Sequence, residues 1–237
     1  MKSRGNFSFK SFTVVQEHAP MPVTTDACIL GAYANFPDTV GTILDVGTGT
    51  GLLSLMLAQR YAQAHITGID IQAESAALAS LNFEASPWEE RLSACNISLQ
   101  SFNSAECFDG IVCNPPFFDN QLASTHHGKR VSRHTVSLTY NDLFMHSNRL
   151  LKPTGIAWYL LPTLHEQRIY EALQQNGFFL FQRVRLYPSA KKSAHLMLLA
   201  CKKTVAICED DQLITYSENG RLTHRMAELL RPFYLHL

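Results

Sequence analysis

The chain has 237 residues, of which 46% are hydrophobic and 17% charged, and its formal net charge is zero. This composition predicts one folded domain of the α/β class and excludes a disordered chain. No apolar run reaches the length of about 18 residues that a membrane span needs, and no signal peptide is evident, so we expect a cytoplasmic protein. Six cysteines without a CxxC pair favour buried reduced thiols over zinc or disulfide sites.

The charge is unevenly distributed along the chain. Residues 1–120 contain 5 Lys and Arg against 12 Asp and Glu, whereas residues 121–237 contain 15 against 8, together with eight of the ten histidines. One basic side would allow the molecule to bind a polyanion in spite of its zero net charge. The alternative is a solvated surface whose charges are distributed by chance.

Residues 1–23 predict an N-terminal hairpin that precedes the main fold. Its aromatic-rich segment, typical of a strand pair, contains Phe7, Phe9, Phe12 and Val14. An apolar helix is predicted over residues 27–34, and the candidates for its N-cap are Thr24, Thr25 and Asp26. A role as N-cap of this helix would by itself explain the presence of Thr25 and Asp26 at these positions.

Residues 42–60 predict a buried strand, a glycine-rich turn and a helix, which together form the first unit of a nucleotide-binding sheet. The turn consists of Gly47, Thr48, Gly49, Thr50 and Gly51. Leu52 stands where a dinucleotide-binding motif has its third glycine, and no Gly-Lys-Ser/Thr phosphate loop follows. Asp45 at the strand end would repel a pyrophosphate and attract an ammonium or sulfonium group.

The next two predicted strands also end in polar side chains that suit a nucleoside. Asp70 follows the glycine turn by about 20 residues, at the position where a carboxylate binds both hydroxyls of a ribose. Ile71 can lie against an adenine face, and Asn96 can donate to or accept from the adenine edge. Because parallel strands share their carboxyl edge, we expect these side chains to lie near Asp45.

A fourth buried strand is predicted over residues 108–114, and its last residue opens the motif Asn114-Pro115-Pro116-Phe117. Proline cannot donate to a sheet ladder, and each proline restricts the preceding residue to an extended backbone. The Asn114 amide, the Pro115 carbonyl and the Phe117 ring are therefore presented together, which suits a planar group that carries an amino nitrogen. The alternative is an ordinary turn at a strand end.

A long predicted loop, residues 120–139, follows this motif. Its basic side chains include Lys129, Arg130, Arg133 and His134, and we favour phosphate binding over a solvated face for them because they lie a few residues past the motif. The rest of the chain predicts helices, strands, an antiparallel hairpin near the C-terminus and a small C-terminal addition, residues 204–237.

Two motifs together, Asp45-Val46-Gly47-Thr48-Gly49-Thr50-Gly51 and Asn114-Pro115-Pro116-Phe117, resemble the class I S-adenosylmethionine-dependent methyltransferases that modify exocyclic amino groups. More narrowly, the chain resembles the bacterial valine-tRNA adenine methyltransferases at Phe7-Ser8-Phe9-Lys10, at Met21 to Asp26, at Leu30-Gly31-Ala32 and from Arg133-His134 to Leu138. The resemblance covers nearly the whole chain. It implies methylation of the N6 amino group of adenine 37, next to the anticodon of valine tRNA.

The resemblance also implies a fold and a set of site residues. The fold is one Rossmann-like domain over residues 1–237, with a seven-stranded, mostly parallel sheet, helices on both faces and a C-terminal antiparallel hairpin. The implied S-adenosylmethionine site comprises Thr25, Asp26, Asp45, Gly47, Thr48, Gly49, Thr50, Gly51, Asp70, Ile71, Asn96 and Asn114. The implied catalytic residues are Asn114, Pro115, Pro116 and Phe117, and Lys129, Arg130, Arg133 and His134 would contact the anticodon stem-loop. We expect a monomer that uses no metal.

The chemistry of the Asn-Pro-Pro-Phe motif can be argued without the resemblance. A conjugated amino group is a poor nucleophile because its lone pair is delocalised into the ring. Hydrogen bonds from both N–H groups to the Asn114 side-chain oxygen and the Pro115 carbonyl would favour pyramidalisation and would tighten as charge develops. Phe117 would stack on the base, which must leave its own stack to enter the site.

Three alternatives remain open. The acceptor could be an amino group of ribosomal RNA guanine or a protein glutamine amide, although the glutamine enzymes usually carry Tyr where Phe117 stands. A non-catalytic RNA-binding protein could keep the same fold and basic face. An oxidoreductase on this fold is the third alternative, and it is the least favoured.

Overall fold

The computed structural model describes residues 5–17, 19–115 and 138–237, and these ranges contain ten strands and six α-helices. The strands are β1 (Phe7–Ser8), β2 (Thr13–Val14), β3 (Thr42–Val46), β4 (His65–Asp70), β5 (Leu92–Asn96), β6 (Phe108–Cys113), β7 (Leu151–Pro162), β8 (Phe179–Ser189), β9 (Leu196–Lys202) and β10 (Glu209–Tyr216). The helices are α1 (Thr25–Tyr33), α2 (Leu52–Arg60), α3 (Ala73–Glu84), α4 (Tyr140–Leu150), α5 (Glu166–Gln175) and α6 (His224–Leu230).

Eight strands form the main sheet, in the spatial order β10-β8-β9-β7-β6-β3-β4-β5. Neighbouring strands run parallel except at β9, which pairs antiparallel with both β7 and β8. The predicted Rossmann-like α/β fold with a C-terminal antiparallel hairpin is confirmed. The sheet has one strand more than the seven expected, because β10 pairs with β8 along the outer edge.

The strand order reverses between β3 and β6, which are neighbours in the sheet. From β3 the chain continues outward through β4 and β5, and it then returns to β6 on the other side of β3. Open α/β sheets bind ligands in the crevice at the carboxyl edge of such a switch point. This topology therefore directs attention to the ends of β3 and β6.

The core consists of two apolar clusters, one on each face of the sheet. Successive side chains of a strand point to opposite faces, so Ile43 packs with α1 and α2, whereas Leu44 packs with α4 and α5. Helices thus cover both faces, as expected. No helix within the described ranges has the length and apolar character that crossing a bilayer requires.

The two chain ends pack against each other beside α1. The predicted N-terminal hairpin is present, because β1 and β2 pair antiparallel. Phe9 stacks on Phe12 with ring centroids 4.5 Å apart and forms an isolated bridge with Tyr234. The Lys10 N–H donates to the carbonyl of Phe233 at 2.8 Å. The N-terminal segment is therefore held by the last residues of the chain.

All six cysteines are free thiols, as predicted. Cys28, Cys113 and Cys201 are buried in the core, whereas Cys95 and Cys107 are exposed. The expectation of burial thus holds for the cysteines in apolar elements. It is wrong for Cys95, because β5 is the edge strand of the sheet and exposes part of its surface, and for Cys107, which lies in the connection before β6.

Candidate active site

The turn after β3 depends on three glycines with a left-handed backbone. Gly47, Gly49 and Gly51 have φ values of 72°, 58° and 80°, which other residues rarely adopt. The N–H groups of Gly47 and Thr48 donate to the carbonyl of Ile69 at 2.9 and 3.0 Å, which holds the turn against the end of β4. A Cβ added to Gly47 would meet no atom within 4 Å. This side of the turn is therefore open to a ligand at the switch point.

Asp45 is fully buried beneath this turn. Its Oδ2 accepts from the Thr48 hydroxyl and the Ser54 hydroxyl, both at 2.7 Å, and from the Ser54 N–H at 3.2 Å. Its Oδ1 is buried without a hydrogen-bond partner in the described part of the chain. Burial raises the pKa of Asp45 to about 6, although the bonds from Ser54 and Thr48 lower it. Asp45 thus fixes the turn and is mainly ionised at neutral pH.

Asp70 at the end of β4 lies beside the glycine turn and is half-buried. Its Oδ2 accepts from the Gly49 N–H at 3.0 Å, and its Oδ1 accepts from the Gln72 N–H at 2.9 Å. Each carboxylate oxygen retains a further lone pair, so the group can still accept from two hydroxyls. Ile71 follows with 48% of its surface exposed. A polar acceptor and an apolar face are thus adjacent, as a nucleoside requires.

Asn96 at the end of β5 is oriented by the neighbouring strand. Its Nδ2 donates to the carbonyls of Asp70 and Ile71, at 3.0 Å each. Because both partners are carbonyl oxygens, the atom that faces them must be the amide nitrogen. Its Oδ1 therefore points away from them as an acceptor. The sequence alone left open whether Asn96 would donate to or accept from an adenine edge, and this orientation favours the acceptor role.

Asn114 and Pro115 follow β6 on the other side of the switch point. Val46 and Cys113 are paired, so Gly47 and Asn114 leave the sheet at the same level. Pro115 is buried and Asn114 is half-buried, and within the described ranges no group hydrogen-bonds to the Asn114 amide. The amide therefore keeps its full hydrogen-bonding capacity at the sheet edge.

Two carboxylates make the switch point electronegative. Burial raises the pKa of the Cys113 thiol, and the charges of Asp45 and Asp70 raise it further. Both carboxylates thus act on the residue that precedes Asn114. A negative potential at this position favours a ligand that carries a positive charge.

Thr25 and Asp26, two predicted cofactor contacts, belong to the first turn of α1. The N-cap of this helix is Thr24, whose side chain accepts from the Ala27 N–H at 3.2 Å, so capping does not occupy Thr25 or Asp26. Thr25 lies beside the hydroxyl of Tyr234. Burial raises the pKa of Asp26, and nearby His195 lowers it. Asp26 therefore lies on the side of the turn between β8 and β9.

Comparison with known proteins extends this geometry. The Methyltransferase small domain family matches residues 32–174. A tRNA1(Val) (adenine(37)-N6)-methyltransferase of Dyadobacter fermentans is 38% identical over 240 residues, 99% of either chain. Another from Vibrio vulnificus is 36% identical over 235 residues, 99% of this chain and 97% of the relative. The chain belongs to this methyltransferase family. These matches confirm the family that the sequence motifs predicted, and they confirm that the protein is a methyltransferase.

A solved structure shows that the methyltransferase shares its fold with distant proteins. The predicted O-methyltransferase Atu636 from Agrobacterium tumefaciens superposes with a TM-score of 0.69 at 18% identity. The match covers 87% of this chain and 96% of that chain. At this identity, the likeness concerns the fold alone.

Two buried polar side chains of the methyltransferase site were missed by the sequence analysis. Ser54 is the donor to Asp45 described above, and it interrupts the apolar run of α2. Asn82 on α3 donates to the carbonyls of Thr50 and Val15, at 2.8 and 3.0 Å, and accepts from the Val15 N–H at 2.8 Å. It thereby joins the N-terminal segment to the glycine turn. The feature of the sequence that could have indicated Asn82 is an asparagine among the otherwise small or apolar residues that α3 buries.

Some predicted site residues lie outside the described residues, namely Pro116, Phe117, Lys129, Arg130, Arg133 and His134. Their roles stay predictions. Within the described ranges, no group of three or more His, Cys, Asp or Glu side chains is arranged to hold a metal ion.

Proposed function

We propose that this methyltransferase transfers a methyl group from S-adenosylmethionine to N6 of adenine 37 in valine tRNA. The names of its relatives supply the substrate, and the Asn114 amide is the observation on which the mechanism depends. It has no partner in the described chain, and the backbone of Asn114 leaves the sheet level with Gly47. An amide so placed can receive an amino group next to a bound methyl donor.

The residues before β6 fit S-adenosylmethionine. Asp70 offers lone pairs to the ribose hydroxyls, Ile71 offers an apolar surface to the adenine, and the Oδ1 of Asn96 accepts from the adenine amino group. Gly47 allows the ligand to approach the backbone, because no side chain stands there. Asp45 adds negative charge that favours a sulfonium. When bound, the cofactor supplies an electrophilic methyl group.

Asn114 and Pro115 would prepare the acceptor nitrogen. The Asn114 Oδ1 and the Pro115 carbonyl accept its two N–H bonds, which orients the lone pair toward the donor side of the crevice. As the nitrogen gains positive charge, both hydrogen bonds strengthen and the carboxylates of Asp45 and Asp70 stabilise it. Formation of the N–C bond would break the bond between the methyl carbon and the sulfonium sulfur, leaving S-adenosylhomocysteine, and the surplus proton of the product nitrogen would pass to solvent water. Phe117 is the proposed stacking partner of the base.

The proposal is tested by incubating the protein with labelled S-adenosylmethionine and an unmodified valine tRNA transcript. We expect N6-methyladenosine at position 37 as the labelled nucleoside. Asn114→Ala should lower kcat by about 10²- to 10³-fold, the range seen when one transition-state hydrogen bond is removed. The matched control is Asn6→Ala, at an exposed position of the N-terminal segment.

Other outcomes would contradict the proposal. Label in ribosomal RNA guanine or in a protein glutamine would assign another acceptor. Tight RNA binding without methyl transfer would favour the non-catalytic alternative. Because the proposed substrate is a tRNA, we expect the protein to act in the cytoplasm, and we expect it to act as a monomer.

A further inference from the structure

We propose that the segments that follow β7, β8 and β10, the first of which includes the start of α5, form a binding surface for the phosphates of the RNA substrate. This cationic rim consists of residues 163–168, 190–195 and 217–222. The inference rests on the proposed function, because that function makes RNA the polyanion bound here. The rim residues are separate from the basic side chains of the loop predicted over residues 120–139.

The three segments of the cationic rim are joined to one another. The Thr163 N–H donates to the carbonyl of His195 at 3.1 Å, and the Thr163 hydroxyl donates to the carbonyl of Ala194 at 2.8 Å. Lys191 pairs with Glu218 at 2.8 Å. Neighbouring strands lie about 4.8 Å apart, so the rim extends for about 14 Å from β7 to β10. It is therefore one continuous surface at the carboxyl edge.

Most lysines and arginines of the described residues already have partners. Acidic side chains pair with Lys152, Arg183, Arg185, Lys191, Arg225 and Arg231. Carbonyl or amide oxygens accept from Lys10, Arg60, Arg91, Arg149 and Lys203. Lys202 lies 4.0 Å above the Phe181 ring. Across the same ranges the cations without such a partner are Arg168, Lys192 and Arg221, all exposed and all on the cationic rim.

The acids of the rim leave these three cations uncompensated. Glu166 accepts from both terminal nitrogens of Arg185 at 2.8 Å, and Glu218 is occupied by Lys191. Asp26 faces exposed His195 at one end of the rim. The residual charge of the rim is thus positive, whereas Asp45 and Asp70 make the cofactor side negative. Unpaired cations that face solvent on one surface are the groups that phosphate oxygens recruit.

The position of the rim fits a substrate that enters beside Asn114. β7, which carries the first rim segment, is the direct neighbour of β6. The Nδ1 atom of His165 lies 2.8 Å from the hydroxyl oxygen of Tyr140, which is within hydrogen-bonding distance. Tyr140 is the first residue of α4. The described chain resumes at Leu138, two residues before that helix. The rim thus reaches the start of α4.

The test measures the affinity of the full-length protein for unmodified valine tRNA at several salt concentrations, with S-adenosylhomocysteine present. Each lost phosphate contact should flatten the slope of log K against log salt by about 0.7–0.9, which lowers the affinity about five- to eightfold at 0.1 M salt. We expect one such step for Lys192→Gln and up to three for the triple variant Arg168→Gln, Lys192→Gln, Arg221→Gln. The matched control, Lys202→Gln at the opposite edge, should keep the wild-type slope.

Glu218→Gln provides a test in the opposite direction. It releases Lys191 for a phosphate, so the slope of log K against log salt should steepen. The affinity for tRNA at 0.1 M salt should then rise by up to about five- to eightfold. A variant that was merely misfolded would not bind RNA more tightly. A triple variant whose slope of log K against log salt equals that of the wild type would contradict the proposal that the cationic rim binds RNA phosphates.

A methyl-transfer assay on the same proteins separates this inference from the proposed function. If the wild type methylates adenine 37 but the triple variant keeps the wild-type slope, the rim is wrong and the proposed function stands. If RNA binding depends on the rim but no adenine is methylated, the rim stands and the proposed function is wrong.

Discussion

The two sides of the switch point differ in how their polar groups are satisfied. On the side of β3, β4 and β5, the carboxylates of Asp45 and Asp70 and the amide of Asn96 hydrogen-bond to the protein itself. On the other side, Asn114 and the free cations of the rim have no partner in the described chain. Internal bonds fix the shape of a pocket for a small ligand. Unpaired groups remain available to a large partner that brings its own hydrogen bonds.

The largest effect on the cofactor side is expected from Asp70→Ala. This change removes the proposed ribose acceptor and the bond to the Gly49 N–H. A hydrogen bond to a charged group contributes about 1.5–3 kcal/mol, so the loss of two should weaken S-adenosylmethionine binding by about 3 kcal/mol or roughly 150-fold. Isothermal titration measures this loss, and tRNA affinity should stay unchanged. The control is Asp38→Ala at an exposed position.

Unchanged cofactor affinity in Asp70→Ala, or an equal loss of tRNA affinity, would remove the distinction between the two sides. In the first case Asp70 would serve the turn alone. In the second case both ligands would depend on one set of residues.

A somewhat smaller effect, on stability, is expected from Asn82→Ala. The change leaves the N–H and carbonyl of Val15 and the carbonyl of Thr50 without their partner in a buried position. Such groups cost about 1–3 kcal/mol each, and partial relaxation should limit the total loss in free energy of unfolding to about 2–4 kcal/mol. Urea denaturation measures it, with Asn6→Ala as the control.

The same variant sharpens the comparison through its ligands. Because Asn82 holds the glycine turn, the KM for S-adenosylmethionine should rise, whereas the KM for tRNA should stay close to that of the wild type. Equal changes in both values would indicate a global loss of structure instead.

The smallest effect concerns pH and arises from Asp45. Its pKa is raised from 3.8 to about 6 by burial, so the folded state holds this proton more tightly than the unfolded state. The stabilising contribution of the proton to the folded state is complete below pH 3.8 and is lost as the pH rises to about 6.

The same carboxyl group should make cofactor binding depend on pH, because a bound cation would prefer the ionised form of Asp45. The affinity for S-adenosylmethionine should therefore fall as the pH drops below about 6, by about tenfold if binding lowers the pKa by about one unit.

The neutral thioether S-adenosylhomocysteine is the matched ligand for this measurement, because it lacks the sulfonium charge. Its affinity should change less over the same pH range, and Asp45→Asn should abolish the difference. Parallel pH profiles for the two ligands in the wild type would contradict a role for the Asp45 charge.

The sequence predicted the elements whose signals are local. The glycine turn, the strands that end at Asp70 and Asn96, and the N-terminal hairpin follow from apolar runs and glycine spacing, and they occur where expected. The exact N-cap of α1 did not follow, because Thr24, Thr25 and Asp26 are all suitable capping residues. The burial of Asp45 beneath the turn was also beyond prediction, since it depends on where Thr48 and Ser54 point.

β10 was missed for a related reason. It begins with Glu209, Asp210 and Asp211, a polar start that is typical of a loop. Asp210 pairs with Arg183 on β8 at 2.5 Å, and Asp211 pairs with Arg225. The bond from Arg225 lowers the pKa of Asp211 to about 2. These partners are distant in sequence, so only the folded chain reveals why acidic residues can occupy a strand.

The reversal of strand order at β3 and β6 divides the work of the chain by position in the sequence. Most of the residues proposed to bind the cofactor lie before residue 100, and the proposed RNA surface lies after residue 160. Opposite charges on the two parts of the chain thereby become opposite charges on the two flanks of one crevice. Under the two proposals, substitutions in the late loops should change which RNA is bound, while the earlier segment should continue to bind the same methyl donor. Such a layout makes the late loops the natural targets for directed evolution toward new nucleic-acid substrates.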